Sequence, residues 1–430
     1  MDVVSLANLL HELLGGDDSV AVRTWDGGHS GDPHAAATIA VRSPDAIARI
    51  VQTPGQLGIA RAYVAGDLEV EGDIFAALDL PSRVGGIHLA PRQWAQLGRV
   101  AGRAALRRLP VPPEESHLRG RRHSAARDRA AIAHHYDVSN EFYRVILGPS
   151  MTYSCALWSD TDPAYTLEGA QAAKHDLVCR KLDLAEGQRL LDVGCGWGTM
   201  VRQAATRHGV SAVGVTLAAT QSDWAAKAVI DSDLRDLVTI RLQDYRDIDD
   251  GPYDAISSIG MSEHVGRSHL RTYFERLYTL LRPGGRLLNH AISSLPLGHT
   301  GNRLALPAGL QTCLAGMVRA NFIDRYVFPD GELVEVGEVV SAMQAVGFEV
   351  RHLESLREHY GLTLRKWVAN LEHGWDEAVE AAGLGRSRTW RLYMAAAAKG
   401  FESGRTGVHQ VLAVKPDAGR SGLPLRPAFG

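Results

Sequence analysis

Between Leu191 and Gly198 the chain reads Leu-Asp-Val-Gly-Cys-Gly-Trp-Gly. Glycines at alternate positions (Gly194, Gly196, Gly198) let a backbone turn sharply after a strand and approach a ligand closely. A helix starting at such a turn points unpaired N–H groups and a positive dipole end at that ligand, which favours negative charge. A nicotinamide dinucleotide exploits the same geometry, so the spacing alone leaves the cofactor open. Nucleotide-binding folds often place an acid after the second strand to hold ribose hydroxyls. The stretch Gly214–Gln221, which includes Thr216 and Leu217, has none, so Thr216 or Gln221 must take that role. Gln243, Asp244 and Tyr245 come just past the next strand, where an adenine ring is usually held, and Asp244 also reads as a plain loop acid. Glu263 stands in a strand-end loop after Ile259-Gly260, where α/β enzymes position functional groups.

Elements that would carry these residues can be read from short apolar runs. Arg189–Val193, Ser211–Thr216, Val238–Leu242, Asp254–Ile259, Arg286–Ile292, Glu349–Leu353 and His409–Val414 read as strands. Helices are expected over Thr199–His208, His269–Leu281 and Val334–Val346, with Pro283-Gly284-Gly285 ending the second. Strands separated by helices of about ten residues imply an α/β fold, a mostly parallel sheet covered on both faces. Residues 1–80 mix alternating stretches (Val20–Trp25, Ala37–Val41) with helical ones, so a smaller N-terminal α+β domain is expected over 1–110. Prolines and arginines mark 111–126 as a linker, 127–418 as the larger domain, and 419–430 as a flexible tail.

Composition excludes several classes. The 430 residues are 45% hydrophobic and 22% charged, enough for roughly two or three cores and ordinary for a globular protein. No apolar run approaches the roughly 18 residues of a membrane span, and no secretory signal is expected after Met1-Asp2. Cys155, Cys179, Cys195 and Cys313 form no CxxC pair, so neither a disulfide scaffold nor a metal site is expected. A cytoplasmic location follows. Net charge is only −3, yet ten arginines lie between Arg92 and Arg129 against three acids. They read as a solvated linker or as a patch for anionic lipid head groups. Nucleic acid is the weaker reading, because no stacking aromatics are interleaved.

The glycine turn, with Asp192 ending the strand before it, resembles motif I of class I S-adenosylmethionine (SAM) methyltransferases. Further stretches are similar to the cyclopropane fatty-acyl-phospholipid synthase family. They are His135–Tyr143 (HYDVSNEFY), Met151–Trp158 (MTYSCALW), Gly214–Gln221 and Leu242–Asp247 (LQDYRD). Glu263–Gly266 (EHVG), Tyr326–Gly331 (YVFPDG) and His359–Leu364 (HYGLTL) complete the series, which covers about residues 130–370.

The resemblance implies a Rossmann-like, doubly wound methyltransferase domain binding SAM through Tyr153, Ser154, Asp192, Gly194, Cys195, Gly196, Trp197, Gly198, Thr216, Leu217, Gln221, Gln243, Asp244 and Tyr245. It implies methyl transfer to the cis double bond of an acyl chain in an unsaturated phospholipid. The resulting carbocation loses a proton to a bicarbonate ion, giving a cyclopropane or a mid-chain methylene branch, with the branch slightly favoured. By motif match the ion's holders are Cys155, Glu263, His290, Tyr360 and the backbone of Ile292. Each side chain also has a plainer reading: Cys155 a buried thiol, His290 a satisfied core residue, Tyr360 a packing aromatic, Glu263 a surface carboxylate. Peripheral attachment to the inner face of a membrane is expected from the arginine run, and with it a homodimer and a reductase partner for a methylene product. Departures from the pattern are Ser262, where a phenylalanine commonly precedes the glutamate, and a long segment Ser293–Arg325. There Ala320-Asn321-Phe322 replaces an Asp-x-Trp.

Overall fold

The computed structural model describes residues 5–83, 91–116, 127, 138–159, 164–295 and 322–429. The chain divides into two compact units. One comprises Met1–His117, Asn302–Pro329 and Ala382–Lys399, and the other Leu118–Gly301, Asp330–Ala381 and Gly400–Gly430. The division therefore departs from the single block 127–418 read from the sequence.

In the first unit, β1 (Val20–Thr24), β2 (His29–Ser30), β3 (Ala37–Val41) and β4 (Leu68–Gly72) form a sheet of order β2-β1-β3-β4. β1 and β3 are parallel and the other pairs antiparallel. Val22, Val41 and Ile47 lie in one core beneath the helices Leu6–Leu13 and Pro44–Gln52. The first residues of the expected linker are packed. Glu115, only 3% exposed, takes two bonds of 2.8 Å from Arg61, and the Ser116 N–H donates to the Arg325 carbonyl. A bidentate partner explains why this acid is buried. Residues 117–126 lie outside the described set.

Strand β4 is an edge, and unpaired edge carbonyls are a liability. Arg391, on the helix Leu384–Glu402, occupies them: its guanidinium donates to the carbonyls of Val70 (2.9 Å) and Gly72 (3.0 Å). These bonds group residues 382–399 with the N-terminal sheet. Sequence periodicity carries no sign of them.

The second unit holds β5 (Arg189–Val193), β6 (Ser211–Thr216), β7 (Val238–Leu242), β8 (Tyr253–Ile259), β9 (Leu281–Ser294), β10 (Glu349–Ser355) and β11 (Thr406–Val414). Their order is β10-β11-β9-β8-β5-β6-β7. Only β11 runs against its neighbours. Two apolar clusters cover the sheet, one around Tyr273, Phe274 and Leu277, the other around Val178, Val201 and Val229. The expected strands are all present. β9, however, starts at Leu281, because Gly284 adopts φ +77° and its N–H still donates to the Lys415 carbonyl. Pro283-Gly284-Gly285 is thus an irregularity inside a strand. Nor is the C-terminal segment a free tail. The Ser421 hydroxyl accepts from Arg351 at 2.5 Å, and Phe429 packs on His352. No described helix is long and apolar enough to cross a membrane.

Replacing Arg391 by Met keeps its packing volume but strands two carbonyls, so stability should fall by about 2 kcal/mol. The midpoint of denaturant unfolding checks this, and an unchanged midpoint would show that water replaces the guanidinium.

Candidate active site

Strand order reverses between β5 and β8, and in open α/β sheets ligands bind beyond the strand C-termini at that point. The glycine turn follows β5 there. Gly194, Gly196 and Gly198 all have positive φ (+80°, +53°, +77°). The Gly194 and Cys195 N–H groups donate to the Val215 carbonyl, which pins the turn to β6. A Cβ at Gly194 would lie 2.5 Å from the Met261 sulfur, whereas one at Gly196 would meet nothing within 4 Å. Only the middle glycine therefore leaves an open cradle of backbone, the feature a closely approaching cofactor needs.

Asp192 sits behind this turn. It is buried, accepts a 2.6 Å bond from Ser257, and is pushed up to about 6 by burial. Trp197 is packed too, its indole donating to Asn140 at 2.8 Å. Cys195 is a buried thiol packed beside Gly214. Thr216 and Gln221 are hydrogen-bonded to each other at 3.1 Å. Leu217 is half-buried between them, and Gln243 donates to the Asp247 carbonyl. Asp244 caps the Arg246 N–H and holds the Arg246 guanidinium at 2.6 Å, while Tyr245 packs edge-on against Tyr273. Ser154 accepts a 3.0 Å bond from Lys174.

The second cluster forms around the C-terminal halves of β8 and β9. Glu263, in the short helix Ser262–Val265, accepts the Ile292 N–H on Oε1 at 2.7 Å, leaving Oε2 buried with no partner. Ile292 thus gives its N–H to Glu263, a bond absent from the sequence reading. Burial pushes the Glu263 carboxyl up to about 7. His290 shares a strand face with Ile292, is 2% exposed, and its Nε2 also has no partner. Burial, then the charges of Lys174 and Lys181, hold it well below the usual histidine range, so its ring is neutral.

A chain of hydrogen bonds ties Cys155 and Tyr360 to the same place. The Cys155 thiol and the Tyr360 N–H both donate to the Leu356 carbonyl (3.6 and 3.1 Å). Leu356 N–H donates to the carbonyl of Val408, which pairs with Ile292 across the β11–β9 ladder. Burial raises the Cys155 pKa far above its ordinary value, so Cys155 is a thiol donor and no nucleophile. Aromatic rings run from the glycine turn to this cluster: Trp197–Tyr143 (4.8 Å), Tyr143–Tyr153 (5.9 Å), Tyr153–Trp367 (5.2 Å) and Trp367–Tyr360 (6.0 Å). Such faces stabilise positive charge. Among the described residues no cluster of His, Cys, Asp or Glu has metal-site geometry.

Two residues of this site were missed in the sequence. Lys174 is fully buried and pulled down to about 7 by that burial. Thr363 accepts from the Ala156 N–H (3.1 Å) and the Trp158 indole (3.0 Å), locking the Cys155 segment onto the helix Arg357–His373. Thr363 lies within the His359–Leu364 motif. Lys174 had only its central place in an otherwise well-packed helix as a signal.

The fold and the glycine cradle define a class I SAM-dependent methyltransferase. Residues 123–411 match the mycolic acid cyclopropane synthetase family model, and the chain belongs to that family. It is 43% identical to a probable fatty acid methyltransferase of Mycobacterium tuberculosis, with 99% of this chain and 98% of the relative covered. Identity to the cyclopropane-fatty-acyl-phospholipid synthase of Escherichia coli K12 is 32%, over 88% of each chain. Among solved structures, a mycolic acid cyclopropane synthase complexed with SAH and CTAB superposes with a TM-score of 0.60 at 33% identity. That match covers 67% of this chain and 98% of the other. The enzyme class is therefore SAM-dependent C-methylation, and the family modifies fatty acyl chains by methylation or cyclopropanation.

Two outcomes are expected. Gly196→Ala places a methyl group in the open cradle at a local strain of about 1 kcal/mol. SAM affinity measured by calorimetry should fall at least about tenfold with the fold retained, since the lost close approach outweighs that strain. Unchanged affinity would move the cofactor elsewhere. Glu263→Gln tests the buried carboxyl. Because its folded value lies above the ordinary 4.5, the folded chain keeps a proton that the unfolded chain loses, and stability drops as pH rises toward 7. The variant has no charge to bury, so its melting temperature should gain on wild type between about pH 5 and about pH 8. A constant difference would mean that Glu263 is ionised without penalty.

Proposed function

We propose that this enzyme transfers the SAM methyl group to the cis double bond of an unsaturated acyl chain in an intact phospholipid. The alkene π pair forms the new carbon–carbon bond and leaves a carbocation on the chain. Loss of a proton from the added methyl closes a cyclopropane. A hydride shift before that loss gives a methylene branch instead. The near full-length likeness to a fatty acid methyltransferase supports the branch. Bound bicarbonate supplies the base for this step.

The observation that carries this reading is the pair of buried, unpartnered polar atoms, Glu263 Oε2 and His290 Nε2. Buried polar groups are nearly always satisfied, so two orphans, one in the short helix after β8 and one near the end of the neighbouring β9, suit a small polar ligand. A neutral Glu263 donates to an anion where a carboxylate would repel it. Cys155 and Tyr360 lie one strand away, and the aromatic chain shields and stabilises positive charge on the acyl chain.

Peripheral binding to the inner face of a membrane fits the first unit. Leu106 is 89% exposed and adjoins exposed Arg107 and Arg108. Arg107 pairs with Asp45 at 2.6 Å, and Arg127 is committed to Asp330. Arg119, Arg121, Arg122 and Arg129 lie outside the described residues. A cytoplasmic homodimer, served by a reductase when the product is a methylene branch, completes the proposal.

Incubation with methyl-labelled SAM and vesicles of an unsaturated phospholipid tests it. Mass spectrometry should find the label on the acyl chain of the intact lipid, with the double bond consumed. Label on the head group, or only on a water-soluble acceptor, would overturn the reading.

A further inference from the structure

One ring nitrogen of His290, Nε2, is buried with no partner, and the other, Nδ1, meets a neighbouring strand. Gln410 lies opposite His290 across the β9–β11 ladder, and its side-chain amide is 3.2 Å from His290 Nδ1. The far end of the same amide meets Lys181 Nζ at 2.7 Å. Lys181 is fully buried and also pairs with Glu354. These contacts decide which way the amide points. An ammonium group donates only, so the atom facing Lys181 is the Gln410 oxygen. The NH2 group then faces His290, and a donor there requires a lone pair on Nδ1. A neutral imidazole with its lone pair on Nδ1 carries its proton on Nε2. Nε2 is the buried atom with no protein partner.

We propose that Gln410, oriented by Lys181 and Glu354, is a positioning residue that fixes His290 as the Nε2–H tautomer, a hydrogen-bond donor for an oxyanion in the active site. The proposal rests on the reading of His290 as an ion holder. It adds what that holder presents: an N–H that donates to the lone pairs of carbonate-like or other oxyanions and excludes ligands that must themselves donate. Second-layer partners of this kind set tautomer and ring orientation elsewhere in proteins.

Gln410→Glu inverts the device at nearly constant volume. A carboxylate accepts from Lys181 and from His290 alike, so the ring proton moves to Nδ1 and a lone pair faces the site. Long-range nitrogen–proton NMR on histidine-labelled enzyme, with the His290 signal assigned by its loss in His290→Asn, reads the tautomer directly. The wild type should show Nε2–H and the variant Nδ1–H. Carbon-13 NMR of labelled bicarbonate should show at least about tenfold weaker binding to the variant, the usual effect of one buried bond lost. SAM affinity should stay unchanged. Wild-type His290 protonated on Nδ1, an uninverted tautomer in a folded variant, or inversion with bicarbonate binding intact would each overturn the proposal. The wild-type spectrum alone decides the first point if the variant does not fold. A wild type with the expected tautomer inversion but no bicarbonate binding would uphold the positioning role and sink the bicarbonate reading.

Discussion

The pairing of β11 with β9 is the interaction on which the site depends. It runs without a break from Thr406 opposite Ser294 to Val414 opposite Arg286. Within it Gln410 meets His290, and Val408 meets Ile292. The Val408 carbonyl then holds Leu356, whose own carbonyl gathers Cys155 and the first turn of the Tyr360 helix. Side chains alternate along a strand, so a slip of one residue would send Gln410 to the other face. Lys181 and His290 would then lose their mediator together. Nine consecutive pairs make that slip expensive, so this strand, antiparallel to its described neighbours, fixes how these residues line up.

Burial does the electrostatic work. Lys174 is drawn down to about 7, Asp192 up to about 6 and Glu263 up to about 7, each chiefly because the charged form loses its hydration. His264 is likewise held down near 4. Lysine and acids thus converge toward neutrality around the glycine turn and the ends of β8 and β9. In such surroundings the field of any one charge is weakly screened. A positive charge held there would feel the aromatic faces strongly and water little. The same dryness explains why every remaining polar group must be paired within the protein or with a ligand.

Much of this was legible in the residues. Short apolar runs bounded by glycine mark buried parallel strands well, and positive-φ turns need the glycines of 194–198. Glu263 could be placed because function collects at strand ends. Other features depend on contacts between distant segments. Asp244 read as a cofactor contact or a plain loop acid, and Arg246, two residues on, bonds it. The bond from the Ile292 N–H to Glu263 has no local signal in the sequence. Gln410 and Lys181 are separated by 229 positions, and only the ladder brings them together. Likewise, nothing local to 382–399 announces that its arginines close the edge of β4.

Ser262 shows how a departure from a family pattern can be read physically. Where the family commonly has phenylalanine, this serine is 2% exposed and donates to Asn289 Oδ1 at 2.8 Å. Asn289, beside His290 on β9, also accepts from Ser258, which is bonded to the Tyr273 hydroxyl at 2.7 Å. Asn289 is itself 1% exposed, so its amide oxygen needs these partners. A phenylalanine at 262 would remove the shorter of its two bonds and demand ring space beside a polar strand. Serine and asparagine therefore belong together. They form a polar floor beside the turn that carries Glu263, and that floor ties the end of β8 to β9. The change at 262 thus alters the support beneath Glu263 and beside His290.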